Sequence, residues 1–411
     1  MHVVLVGPRA EIVRGLRADG HEITLLYEPG HRGRVAALRD QVDRVCAVDS
    51  YRKVESLWSA VHHLQPMNPI GAVVTTTEWA VVATAVLGQL TGARSISPAQ
   101  ALACRDKGVQ KKKWNAAGVA TTAWRVLCNS LESEAEAEHW LAESGLQFPL
   151  VVKPLAEGAS KSVKVAHDLG EFAAAANSID GGRAMVEQFV EGREWHFDGI
   201  VQDGKLSSFM VSRYSEPLLC TKYGKPIRSI VMTPALHSDV YDSAADLASR
   251  ALHALGLSTG VFHLEVFGEP GTFVASELAC RPGGGIVGEM TERVIGVDIY
   301  EASARVITGD HIPRWAEETE WTHGWTILPT APGKLNRVEA GEIMKIPGVD
   351  KVIMRLERGS TMRDMADAST LGVGCAAVKA RSVDECQRMI DAVVAAVEQI
   401  HDHAPLEAAR S

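Results

Sequence analysis

The chain has 411 residues, 46% of them hydrophobic, which is too much for one ordinary core and suits several domains packed side by side. Lys and Arg number 42 against 51 Asp and Glu, and the net charge of −9 offers no general field to a nucleic-acid backbone or an anionic membrane, so neither is expected as a partner. Seven cysteines (46, 104, 128, 220, 280, 375 and 386) make no Cys-x-x-Cys pair and no cluster with nearby histidines, a usage that fits a reducing cytoplasm.

At the start of the chain, Met1-His-Val-Val-Leu-Val-Gly-Pro has no basic segment and too short an apolar run for a signal peptide, and reads as a first buried strand. Short apolar runs then alternate with amphipathic ones: a strand over 2–6, a helix near 9–19, and strands over 22–26, 45–48 and 70–75. This βαβ rhythm predicts a parallel sheet. Gly7 and Gly15 do not complete the Gly-x-Gly-x-x-Gly spacing, which argues against a dinucleotide site. The apolar stretch Gly71 to Leu90 contains Glu78, Gln89 and three consecutive threonines, so it predicts a buried strand followed by a helix rather than a membrane span.

From Ser97-Pro98 the pattern changes, and a helix opens at Asp106-Lys107 and closes at Gly118. A strand over 148–153 ends in Lys-Pro, a small-residue loop covers 156–162, and strands follow over 163–166 and 185–189. Hairpins are predicted over 195–213, turning at Gln202-Asp-Gly-Lys205, and over 260–279, with a helix over 239–255 between them. Strands near 325–328, 351–355 and 374–380 and a helix over 383–401 read as a small α+β cap.

Glu265 and Glu277 each lie six residues from Gly271, so their carboxylates are expected side by side across the second hairpin. Two such carboxylates repel unless a cation lies between them, and oxygen ligands of this kind suit Mg²⁺ arriving with a nucleotide's phosphates. Either residue alone would read as a solvated strand glutamate, but Glu277 is followed by Leu-Ala-Cys-Arg281-Pro-Gly-Gly-Gly285, an arginine and a backbone turn able to receive phosphate oxygens. Lys107 and Lys153 sit on ordered elements and are candidate phosphate ligands, whereas Lys111-Lys112-Lys113 reads as a solvated helix face. The N–H groups of Gly158, Ser160, Lys161 and Ser162 form either an anion-binding nest or a bare linker. The run from Glu187 through Gln188, Phe189 and Val190 to Glu194 is an extended segment able to present backbone to an adenine and a carboxylate to a ribose. His263 shares a strand face with Glu265 and either orients a substrate or lines the cleft wall. The segment Arg213 to Arg228, with Glu216, Lys222 and Lys225, reads as a substrate lid or as a charged surface loop.

In this order along the chain the pieces resemble the ATP-grasp superfamily over residues 98 to 310, and the flanks agree with its branch of bacterial L-amino-acid ligases. The resemblance implies an α/β and α+β ATP-grasp fold with an N-terminal Rossmann-like parallel-sheet domain (1–96), a small lobe with its helical linker (97–190), a large lobe (191–320) and a C-terminal α+β cap (321–411). It implies ATP as cofactor, with phosphates on Lys107 and Lys153, the adenine by Glu187, Gln188, Phe189 and Val190, the ribose on Glu194, and Mg²⁺, or Mn²⁺ in its place, on Glu265 and Glu277. It further implies that a carboxylate is activated as an acyl phosphate and attacked by an amine, with Arg281, Gly283, Gly284, Gly285 and His263 around the reacting groups. One departure is Ala279, where the family usually has an asparagine oxygen; the same residue motivates a non-catalytic nucleotide-binding module as the contrary reading. Within enzymes the alternative is a carboxylase or nucleotide-precursor ligase using bicarbonate or a phosphoribosyl amine. A homodimer is left open.

Overall fold

The computed structural model describes residues 1–64, 69–158, 160–315 and 320–403. The first strand, β1 (His2–Val6), is buried at every position. It pairs in parallel with β2 (Glu22–Tyr27) and β4 (Ile70–Thr75), and β3 (Arg44–Ala47) adds outside β2, giving the order β3-β2-β1-β4. A continuous apolar run is what a parallel strand covered on both faces requires. The stretch Gly71 to Leu90 forms a strand and then the helix Val81–Thr91, and no helix among the described residues is long and apolar enough to cross a membrane.

The small lobe is an antiparallel sheet of β5 (Trp124–Leu127), β6 (Leu150–Pro154), β7 (Lys164–Ala166) and β8 (Ala184–Gln188) in the order β5-β8-β6-β7. The large lobe contains β9 (Glu194–Gln202), β10 (Lys205–Tyr214), β11 (Arg228–Met232), β12 (Gly260–Phe267) and β13 (Val274–Ala279). The residues read as a C-terminal α+β cap contribute three strands to this sheet, β14 (Thr322–Leu328), β15 (Val349–Met354) and β16 (Gly374–Ala380), giving the order β13-β12-β9-β10-β11-β14-β16-β15. Backbone pairing of β11 with β14 satisfies an edge that would otherwise lie open.

Period-two alternation divides this sheet into two faces. Phe197, Phe262, Leu264 and Leu278 pack on one side with Leu247 of the helix Ser238–Leu255 and Ile390 of the helix Val383–Asp402. Each such side chain contributes about 1.5–3 kcal/mol by leaving water. His196, Asp198, His263 and Glu265 alternate with these residues on the other side, whose apolar part packs on the helices Val287–Ile295 and Ile299–Thr308. The second of these helices also reaches the N-terminal sheet, where Ala304 joins its core and Arg14 bonds Glu301 at 2.8 Å.

Candidate active site

The ladder between β12 and β13 places Glu265 directly opposite Glu277 and His263 opposite Ala279. Nearer the turn Val266 pairs with Ala275, so Ser276 is an extra residue, a bulge. Without it Glu265 would face Ser276 and Glu277 would point to the apolar side, since a one-residue slip exchanges the faces of a strand.

Lys107 opens the helix Lys107–Ala116, capped by Asp106, whose carboxylate accepts from Val109 N. Its Nζ lies 3.0 Å from Glu277 Oε1 and donates to the carbonyl of Glu157 at 2.8 Å. Lys153 ends β6, with its Nζ 3.0 Å from Glu187 Oε2, and Lys111 Nζ reaches Glu187 Oε1 at 3.2 Å. The expected solvated face of Lys111-Lys112-Lys113 therefore holds only for the last two: Lys111 is wholly buried, one helical turn beyond Lys107 and on the same side. Burial lowers its amine to about 8, although Glu187 pulls the other way. Burial alone would raise the Glu187 carboxyl, but the two lysines hold it at about 2.

Lys107, Lys153, Glu187 and Glu277 line a cavity between the lobes, with Gly158, Ser160 and Lys161 also among its walls. Ser160 and Ser162 have φ of 53° and 57°, the left-handed backbone found in anion-binding nests, but Ser162 is not a wall of the cavity. Ala159 lies outside the described residues. Phe189 and Val190 line the same cavity, while the Gln188 amide is engaged by the carbonyls of Gln147 (2.8 Å) and Pro149 (3.2 Å). Glu194 accepts from Leu218 N at 2.7 Å, and burial, reinforced by the charge of Glu265, raises its carboxyl to about 8. Leu218 belongs to the segment read as a lid or loop, which folds into a short turn, Leu218–Tyr223, and then β11. Pro217, Leu218 and Leu219 wall the cavity, whereas Lys225 pairs with Glu216 (2.8 Å) and Lys222 donates to the carbonyl of Ala366 (3.0 Å).

On the large sheet, Asp198 Oδ1 bonds His263 Nδ1 (2.8 Å), its Oδ2 bonds His196 Nδ1 (2.5 Å), and His196 Nε2 reaches Ser229 Oγ (2.8 Å). His263 Nε2 lies 3.6 Å from Glu265. Burial would lower the His263 imidazole, but Asp198 and then Glu265 raise it to about 10. The N–H of Gly283 donates to Asp198 Oδ1 at 3.2 Å, so this N–H serves the carboxylate. A Cβ at Gly283 would lie 2.7 Å from Asp198 Oδ1, and one at Gly285, whose φ is +67°, 2.4 Å from the Trp325 ring; only glycine fits either place. Arg281 donates through Nε to Glu78, which also receives Arg105, and Arg105 in turn donates to the carbonyl of Ala156 at the base of the loop. Burial would raise the Glu78 carboxyl, but the two guanidinium groups hold it at about 2.

Residues 113–291 match the family described as D-ala D-ala ligase C-terminus. The chain is 23% identical over 337 residues to an L-arginine-specific L-amino acid ligase of Bacillus subtilis, covering 80% of this chain and 79% of that protein. It is 28% identical over 185 residues to a D-alanine–D-alanine ligase of Granulibacter bethesdensis, covering 43% and 57%. Among solved structures, an L-amino acid ligase from Bacillus licheniformis superposes with a TM-score of 0.76 at 18% identity, covering 95% and 96%. A carboxyaminoimidazole ribonucleotide synthase from Aspergillus clavatus, complexed with ATP, gives 0.73 at 14% identity, covering 97% and 98%. The chain thus carries a D-ala D-ala ligase-type domain over residues 113–291 and has the ATP-grasp fold.

In this ATP-grasp fold a second cavity adjoins the first, the two sharing His263, Glu265, Arg281, Leu218 and Ser369 as walls. It is the roomier, ≈ 700 Å³ against ≈ 150 Å³, and it takes in Gly283, Gly284 and Gly285. Three residues of the assembly escape sequence reasoning. Lys111 was hidden in a charge run. Glu78 is a carboxylate in an apolar stretch, a signal that served only to exclude a membrane span, although a buried charge implies a cationic partner. Asp198 lay in a strand read for its hairpin, and it becomes visible only when its register partner, His263, is known.

Proposed function

We propose that the enzyme activates the carboxylate of an amino acid as an acyl phosphate, at the expense of ATP, and joins it to an amine with release of ADP and phosphate. The observation that carries this reading is the Glu265–Glu277 pair, which shares one cavity with Lys107 and Lys153, while Glu265 also borders a second cavity with His263 and Arg281.

Two carboxylates set directly opposite on one strand pair repel, and Lys107 and His263 each face only one of them. The donor set is all oxygen and fits Mg²⁺, or Mn²⁺, with Glu265 and Glu277 as its protein ligands. Ala279 supplies no third oxygen, and water is the usual ligand of Mg²⁺ in such a vacancy. When bound, the ion neutralises phosphate oxygens and makes the terminal phosphoryl group easier to transfer.

The protein's own groups act by placement. Lys107 and Lys153 exchange their glutamate contacts for phosphate oxygens. The backbone N–H groups of Gly158, Ser160, Lys161 and Ser162 bind those phosphates, while Phe189 and Val190, with the backbone of Glu187 and Gln188, border the adenine, and Glu194 meets the ribose. The substrate carboxylate attacks the γ-phosphorus in line, the bond from phosphorus to the bridging oxygen breaks, and ADP leaves. The amine nitrogen then attacks the acyl carbon and inorganic phosphate departs. Arg281, held by Glu78, stands beside the acyl phosphate and the oxyanion of the tetrahedral intermediate, with Gly284 and Gly285 completing that wall. His263, held in place by Asp198, orients a substrate carboxylate.

Phosphate release should be measured with Mg-ATP and pairwise mixtures of amino acids, with bicarbonate and the Glu277→Gln variant as controls and mass spectrometry of products. A dehydrated conjugate that depends on two amino acids, with a rate about 10²–10³-fold lower in the variant, supports the reading. Turnover that requires bicarbonate and ignores amino acids overturns it in favour of a carboxylase, and ATP binding without turnover favours a regulatory module.

A further inference from the structure

We propose that Ser369 is a catalytic residue whose hydroxyl donates to an oxygen of the phosphoryl group as it passes from ATP to the substrate carboxylate. This rests on the ligase reading and adds to that reaction a residue from the C-terminal part of the chain.

The residues that wall both cavities stand where the nucleotide's terminal phosphate and the substrate meet. On the ligase reading Glu265 holds the metal, Arg281 faces the acyl phosphate and His263 orients a substrate. Leu218 brings an apolar side chain, and its backbone N–H is already bonded to Glu194 at 2.7 Å. Ser369 is the one polar side chain of this set that the reaction leaves without a task.

Ser369 is 5% exposed, and its hydroxyl has no hydrogen-bond partner among the described residues. Its oxygen is nevertheless not sealed within the protein. The little surface it has therefore opens on the cavities it walls. Buried hydroxyls are ordinarily satisfied, so one left free at a cavity wall is placed for a group that enters the cavity.

The frame around Ser369 is held from both sides. Before it, the short turn Met365–Asp367 is capped by Asp364, which accepts from Ala366 N at 2.8 Å, and the Ala366 carbonyl accepts from Lys222 of the turn Leu218–Tyr223 at 3.0 Å. After it, the Thr370 carbonyl accepts from Arg355 at 3.4 Å, and the Thr370 methyl lies 3.6 Å from where a Cβ on Gly284 would stand. Ser369 is thus fixed between the turn that carries Leu218 and the glycines that follow Arg281. A donor held in this way needs no reordering when charge develops in front of it.

A phosphoryl group in transfer spreads its charge over three equatorial oxygens. Lys107 and Lys153 wall the first cavity but not the second, so they meet the phosphate where it starts. Of the side chains that wall both, Arg281 and Ser369 are donors in every protonation state. A residue common to both cavities meets the group that crosses between them, and in this reaction that group is the phosphoryl.

Ser369→Ala and Ser369→Thr should be compared with the parent in two assays. The first is binding of Mg-ADP with and without aluminium fluoride, a complex that imitates a phosphoryl group in transfer and needs no amino acid. The second is phosphate release and conjugate formation with Mg-ATP and pairwise mixtures of amino acids. Ser369→Ala should weaken the fluoride complex about tenfold or more while Mg-ADP alone binds within about twofold, and should lower kcat about ten- to a hundredfold with KM for ATP within about twofold. Ser369→Thr keeps the hydroxyl and should hold kcat within about fivefold of the parent. Removing a hydroxyl that has no protein partner should leave the melting temperature of Ser369→Ala within about 2 °C of the parent's.

A fluoride complex as tight in Ser369→Ala as in the parent overturns the inference, and if conjugates still form the ligase reading stands. Activity lost in step with melting temperature and Mg-ADP binding marks a structural residue and overturns it too. If no pair of amino acids yields a conjugate, the ligase reading fails, while a fluoride complex weakened by Ser369→Ala still supports the contact with the phosphoryl group.

Discussion

Two buried carboxylates, Glu187 and Glu78, are each clasped by two cations, and the two clasps serve different joints. Glu187 sits between Lys111 and Lys153, bringing the linker helix against the small-lobe sheet. Glu78 sits between Arg105 and Arg281, and its three members come from the N-terminal domain, the linker and the end of β13. Both carboxyls are held at about 2 against desolvation. Similar electrostatics thus secure one lobe locally and, elsewhere, make a residue of the reacting site depend on a separate domain. On the proposed roles of Lys153 and Arg281, the first arrangement should bear chiefly on stability and nucleotide affinity, and the second chiefly on turnover.

The largest effect that separates them is on stability. Glu187→Ala leaves two lysines buried without their carboxylate and should cost about 3–5 kcal/mol in urea-induced unfolding. Glu78→Gln retains a hydrogen-bond acceptor and should cost about 1–3 kcal/mol, yet lower kcat about ten- to a hundredfold by letting Arg281 drift, with a smaller change in KM for ATP. If kcat is unchanged in folded Glu78→Gln, the clasp is only structural and the contrast collapses.

The clasps should behave alike in acid, which tests what they share. Each carboxyl lies below its ordinary value of 4.5, so the unfolded chain takes up these protons first as pH falls. The stability they provide is present above about pH 4.5 and is lost progressively toward about pH 2. Thermal melts through the upper part of this range should therefore fall less steeply for Glu78→Gln and for Glu187→Gln than for the parent, and equal slopes would show that neither carboxyl is depressed.

The same contrast governs what was legible before the structure. Lys107, Lys153, Glu187, Glu265 and Glu277 occur in a recognisable order within one stretch of chain, and strand periodicity was enough to face the two metal-type glutamates across a hairpin. The bulge at Ser276 that makes this register work left no mark in the count of residues from Gly271. Glu78, Arg105 and Arg281 were not legible as a unit, because they meet only when three separate elements dock. The strands assigned to a cap were placed correctly along the chain, but local pattern does not encode which sheet edge a strand joins.

The smallest predicted effect lies inside the lysine run. Helical geometry turns Lys111 inward beside Lys107, while Lys112 and Lys113 stay exposed, so three identical side chains occupy two environments. Lys112→Ala removes only a solvated charge and should change stability by less than about 0.5 kcal/mol. Lys111→Met replaces the cation by an apolar chain of similar length but leaves Glu187 with Lys153 alone. Burial pushes the Lys111 amine down to about 8, and its loss takes a donor from Thr122 Oγ1 (2.8 Å) and the Ala275 carbonyl (3.2 Å), so the carboxylate left behind accounts for only part of the cost. Adding Glu187→Gln to Lys111→Met should therefore restore part of the lost stability, a non-additivity that denaturant midpoints of the two singles and the double would reveal. Strict additivity would mean that Lys153 alone suffices to hold Glu187 and that Lys111 is buried for its packing.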